Sequence, residues 1–139
     1  MILFGHLGLG DALTSPVRGE LPRRWILLGT VLPDLADKPL YYALTFATGL
    51  SGAQLPFIRG TRSFGHAWLI AATLWAAAGS KGWPRLRALA LGMATHPLLD
   101  FVSDFVLLGL GGAGERGATL WPLSCWRFTI AELTWFTDH

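Results

Sequence analysis

The residues of this chain able to do acid–base or metal chemistry are few, and they share one setting. Three of the four histidines (His6, His66, His96) and four of the nine acidic residues (Asp34, Asp37, Asp100, Asp104) are embedded in apolar sequence. Burying an ionisable group costs several kcal/mol unless it is paired or bound to a metal, so their presence there argues for a role. His96 and Asp100 stand one helical turn apart, and Asp104 continues the same face. An imidazole and a carboxylate at that spacing can present two ligands to one metal. The same spacing suits a buried hydrogen-bonded pair, and Asp104 suits either a residue orienting a ligand or a wet interface. Asp34 and Asp37, three apart after Pro33, share a face if helical, as metal ligands or as first-turn carboxylates favoured by the helix dipole. His66 opens a predicted helix with Arg62 one turn before it. Arg62 reads equally as a phosphate-binding cation or as a helix-end cation that snorkels. His6 lies in the first apolar segment.

Four helical units position these groups. The first covers about residues 3–14, and Pro16 to Pro22 is a polar linker. A second runs from about Arg23 to Leu50, interrupted near Pro33 and Pro39. A third covers about Phe64 to Ala78 and closes at Gly79-Ser-Lys-Gly82. A fourth runs from about Pro84 to Leu110, with Pro84 placed as a first-turn residue. Pro97 lacks the donor for the Met93 carbonyl and predicts a kink beside His96. Gly111-Gly-Ala-Gly114 is a break, and a short helix is expected over about Arg127 to Phe136. No run alternates with period two and no repeat is visible, so the expectation is one all-α domain over residues 1–139, a bundle of about four to five helices.

The composition describes the surroundings. The 139 residues are 52% apolar and 14% charged, against about 25% charged in an ordinary soluble domain. Mean hydropathy is +0.43, and there are seven Trp and eight Phe. Uncharged stretches run from Pro39 to Ile58 and from Ser63 to Ser80, and Leu86 to Leu110 is strongly apolar yet carries charged residues, Asp100 and Asp104 among them. These predict a membrane-associated bundle, with transmembrane or interfacial helices in contact with lipid. The first residues, MILFGHLGLGDAL, lack the basic region and cleavage site of a signal peptide. A net charge of +2 without a dense basic cluster excludes nucleic acid as a partner. A small core leaves apolar surface for lipid or for a second copy, so a homo-oligomer is an open possibility. The single cysteine, Cys125, forms no internal disulfide and reads as a packing residue.

The ordered motifs are His6; Gly29-Thr-Val-Leu-Pro33-Asp34-Leu-Ala-Asp37-Lys38-Pro39; Arg62-Ser-Phe-Gly-His66-Ala67; Gly92-Met-Ala-Thr-His96-Pro-Leu-Leu-Asp100; and Leu120-Trp121-Pro122. In this order they resemble the bacterial membrane-bound metal-dependent hydrolases, a family that includes LexA-binding, inner-membrane-associated hydrolases. The resemblance covers about residues 6 to 122. It departs from the family pattern at Gly65-His66-Ala67, where Thr-His-Ser is usual, in the Asp34/Asp37 spacing, and at Thr61.

The resemblance implies a helical bundle akin to zinc-dependent phospholipase C, in the bacterial inner (cytoplasmic) membrane. It implies one or two divalent ions, zinc with manganese or iron as alternatives, held by His6, Asp34, His66, His96 and Asp100, with Asp37 and Asp104 as further ligands or as groups behind them. Mixed imidazole and carboxylate ligands suit those ions better than calcium. Asp37 or Asp104 would take a proton from metal-bound water, and Arg62 would face a phosphoester such as a phospholipid headgroup. Two other readings use the same residues: a non-catalytic membrane protein passing ions through the His/Asp cluster, and a regulatory interaction protein whose metal only holds helices together.

Overall fold

Two helices of equal length cross at a pair of glycines, and that crossing organises the molecule. The computed structural model describes residues 3–55, 58 and 60–109. In chain order the helices are α1 (Leu3–Thr14), α2 (Arg23–Thr48), α3 (Trp68–Ser80) and α4 (Pro84–Gly109), with a 3₁₀ turn at Gly52–Gln54. No strand occurs among the described residues, so they are all-α as expected.

At the α2–α4 crossing, a Cβ on Gly29 would lie 2.2 Å from the Leu89 carbonyl oxygen, and one on Gly92 would lie 2.1 Å from that of Ile26. No side chain fits there, so the backbones touch. α1 packs on this pair with Gly10 against Thr30, where a Cβ would lie 2.5 Å from Cγ2. The Asp11–Arg23 ion pair, with contacts of 2.7 and 2.9 Å, sets the C-terminal end of α1 beside the start of α2. α3 returns along α4, and Gly82 makes the turn between them at φ +63, a left-handed conformation that favours glycine. The starts of α2 and α4 therefore share one end of the bundle with the C-terminal ends of α1 and α3.

The apolar core is thin: Ile26, Met93, Leu99 and several alanines. The largest fully buried side chains are Ile26, His6, His96, Thr14, Thr30, Asp37, Pro33 and Ser63, most of them polar. The middle of this bundle is thus a polar site enclosed by helices.

Three expectations change. α2 is one helix, and Pro33 and Pro39 sit inside it without interrupting it. Pro33 is buried at the packed centre, where tertiary contacts override a proline's local preference. α3 begins at Trp68, not near Phe64, because the backbone of residues 63–65 is engaged elsewhere. Third, among the described residues no helix is long and apolar enough to cross a membrane, which corrects the expected transmembrane helices. α3 spans only ~20 Å, short of the ~30 Å of a bilayer core. α2 is longer but carries Arg23, Arg24, Asp34, Asp37 and Lys38, and α4 carries Arg85, Arg87, Asp100 and Asp104. The Pro39 to Ile58 stretch leaves the helix at Gly49, whose φ of 68 caps α2. The expected 111–114 break, the final helix, the Leu120-Trp121-Pro122 motif and Cys125 lie outside the described residues.

Candidate metal centre

All five residues implied as ligands meet in the bundle centre. His6 comes from α1, Asp34 from α2, His66 from the segment before α3, and His96 and Asp100 from α4. Each is buried, none more than 8% exposed. Two trios, His6/His96/Asp100 and Asp34/His66/His96, have donor atoms within 4.8 Å of one another.

Two imidazoles have a fixed orientation. His66 Nδ1 lies 2.8 Å from Asp37 Oδ2, and His96 Nδ1 lies 2.6 Å from the Thr30 carbonyl oxygen. Both partners only accept, so each Nδ1 carries the proton and donates it. In the neutral ring the lone pair is then on Nε2, and both Nε2 atoms are buried without a hydrogen-bond partner. A buried nitrogen with no partner is costly unless something else binds it. Around these atoms, His66 Nε2 lies 3.5 Å from both Asp34 Oδ1 and Asp100 Oδ2, and His96 Nε2 lies 3.6 and 3.7 Å from the same two oxygens. Those separations are long for hydrogen bonds. They match ligand atoms ~2.1 Å from a shared ion, which lie ~3.4 Å apart at tetrahedral angles. The donor set fits a divalent metal. His6 Nε2 lies 3.2 Å from the other Asp100 oxygen, Oδ1, and the His6 ring stacks on His96 at 3.9 Å between centroids.

The remaining implied residues surround this set. Asp37 is fully buried, with its carboxylate accepting from His66 Nδ1, from the Ser63 N–H at 2.6 Å and from the Gly65 N–H at 2.9 Å. It therefore orients His66 and fixes the segment carrying it. Arg62 puts Nε 3.0 Å from Asp100 Oδ2 and Nη1 2.6 Å from Asp104 Oδ2. The structure thus places Arg62 between two carboxylates and Asp104 behind Arg62. Lys38 Nζ reaches Asp34 Oδ2 at 2.7 Å.

Charge follows from these contacts. Burial disfavours the Asp34 carboxylate, but His66, His96 and Lys38 outweigh it and hold its pKa well below the usual range. Burial likewise opposes ionised Asp100, but contact with His6 and the charges of Arg62 and His96 lower its pKa. For His66, burial opposes the imidazolium, yet Asp34, Asp37 and Asp100 raise its pKa. Among the described residues, the Lys and Arg side chains that pair with these four carboxylates are Lys38 and Arg62, so with neutral imidazoles the cluster carries excess negative charge, which favours a cation. His96 Nε2 has one lone pair and can serve only one of the two trios at a time.

Spacing alone did not reveal the groups that act through the backbone: the Thr30 carbonyl and the Ser63 and Gly65 N–H groups. The one available signal was Gly65. A Cβ there would lie 2.9 Å from Pro33 Cα and 3.1 Å from Asp37 Oδ1, so glycine is required where the resembled pattern has threonine.

Over the described residues, the fold and site define an all-helical bundle with a buried His/Asp cluster that could hold a metal ion. No family model, curated protein or solved structure matches the chain.

Proposed function

We propose that this chain is a membrane-associated, metal-dependent hydrolase acting on a phosphoester. The observation that carries the reading is the pair of unpartnered, buried Nε2 atoms of His66 and His96, aimed at Asp34 and Asp100 and fixed from behind by Asp37 and the Thr30 carbonyl. The motif order from His6 to Asp100 and its family resemblance support the same reading, with the bacterial inner membrane as location. Zinc fits the donor set, with manganese and iron as alternatives. When bound, the ion lowers the pKa of a coordinated water toward ~7 and polarises an ester oxygen.

The chain's own residues do the rest. Asp37 and Thr30 keep the imidazole lone pairs turned inward. Arg62 holds Asp100 and Asp104 in register. Among the described residues Asp104 is engaged through Oδ2 alone, by Arg62, and is the carboxylate left to accept a proton; Asp37 has both oxygens committed. The burial of the whole set favours a second reading, a metal that only holds the helices together.

Hydrolysis of chromogenic phosphomonoesters and phosphodiesters by zinc- or manganese-loaded protein separates the two. The hydrolase reading predicts turnover that falls about a hundredfold in Asp104→Asn while bound metal and helicity persist. Absence of turnover in metal-loaded, folded protein, or full activity in Asp104→Asn, contradicts it.

A further inference from the structure

The described charges separate along the bundle. Asp34, Asp37, Asp100 and Asp104 lie at the metal centre, and no Asp or Glu occurs between Asp37 and Asp100. The end formed by the starts of α2 and α4, with the linker after α1, holds Arg18, Arg23, Arg24, Lys81, Arg85 and Arg87 against Asp11 and Glu20. Asp11 is taken by Arg18 and Arg23. Arg24, Lys81 and Arg85 are exposed, and none of them pairs with a carboxylate among the described residues.

Two tryptophans lie among these cations. Trp83 is 51% exposed with Lys81 Nζ 4.9 Å from its ring centroid, and Trp75 is 36% exposed with Arg87 Cζ at 4.6 Å. Ala72, Ala76 and Ala77 extend the exposed apolar face of α3 beside Trp75. Exposed indoles among cations suit the headgroup layer of a bilayer, where the ring enters the interface and the cation meets lipid phosphate. A nucleic-acid surface would not account for the alanine face.

We propose that this basic, tryptophan-bearing end docks onto an anionic phospholipid bilayer. His96 lies twelve residues beyond Pro84 along α4, so the metal centre stands ~18 Å from the docking end. Docking is therefore independent of metal; it rests on the membrane-associated part of the proposed function and not on its hydrolysis.

The test is co-sedimentation of the full-length protein with vesicles of phosphatidylglycerol and phosphatidylcholine, or of phosphatidylcholine alone. The wild type should prefer the anionic vesicles, lose that preference in high salt, and bind equally with or without chelator. Arg24→Gln/Lys81→Gln/Arg85→Gln changes three exposed side chains and should weaken binding about a hundredfold, from about fivefold per cation. Its helicity by circular dichroism should be unchanged. Trp83→Ser, with every charge kept, should also weaken binding and guards against misfolding of the triple variant. Equal binding to both vesicle types, wild-type affinity in the triple variant, or tighter binding to duplex DNA than to anionic vesicles overturns the proposal.

Discussion

Asp37→Asn tests the claim that a fully buried carboxylate organises the centre without belonging to its ligand set. In the wild type the carboxylate accepts from Ser63, Gly65 and His66. An amide of the same shape has one acceptor oxygen, so its NH₂ must face a donor. With the oxygen kept toward Ser63 and His66, the Gly65 N–H keeps only its longer 3.1 Å contact to that oxygen, and the amide NH₂ is turned against this N–H instead of an acceptor. An unsatisfied buried donor costs ~1–3 kcal/mol, and loss of the charge weakens the other two bonds. A net destabilisation of about 2 kcal/mol follows, which for a chain of this size lowers the thermal midpoint by about 7 °C. His66 also loses its firm orientation, and removing such a partner weakens metal affinity by about 10–100-fold. Thermal unfolding followed by helical circular dichroism, with chelator present, measures the first effect. Zinc titration against a competing chelator measures the second. An unchanged midpoint refutes the hydrogen-bond accounting. A lowered midpoint with wild-type zinc affinity refutes the orienting role.

Other perturbations follow from the same contacts. Gly92→Ala places a methyl against the Ile26 carbonyl and should cost ~3 kcal/mol or more by forcing α2 from α4, read as a lower midpoint; a wild-type midpoint would contradict the backbone contact at the crossing. Arg62→Met strands Asp100 and Asp104 and should destabilise by ~3–5 kcal/mol, with part of the loss recovered by adding Asp104→Leu; strictly additive losses would show that the two residues do not interact. The raised pKa of His66 gives a pH signature in metal-free protein. Its stabilisation is complete below the unfolded value of ~6.5 and is lost as pH rises through the folded value. The thermal midpoint in chelator should therefore fall as pH rises above about 6.5. With saturating zinc, which requires the neutral ring, that fall should disappear; identical pH profiles with and without zinc would contradict His66 as a ligand.

The members of the buried cluster were legible because most of them sit on helices, where sequence spacing becomes geometry. His96 and Asp100, one turn apart, do point to the same centre. Asp34 and Asp37, three apart, do share a face, although that face lies within α2 and not in a first turn. His66 was legible by type but not by setting: it lies in the segment before α3, held by Asp37 through backbone N–H groups, which residue type does not announce. The Thr30 carbonyl that orients His96 was equally silent. Pro33 and Pro39 misled because a proline's local preference is modest beside the packing of a buried helix. The apolar composition predicted transmembrane or interfacial helices, yet much of it is spent on a bundle whose centre is polar and whose outside carries residues such as Phe46 and Tyr42, 94% and 62% exposed.

The central claim is that the buried His/Asp cluster is a site for one divalent metal ion. Elemental mass spectrometry on purified protein, reloaded with zinc or manganese and freed of excess, tests it most directly, beside His96→Gln and Asp34→Asn variants checked for helicity. The account predicts one equivalent per chain in the wild type and loss of that ion in both folded variants. Folded wild-type protein that retains no metal after reloading, or folded variants that retain the full equivalent, would contradict it.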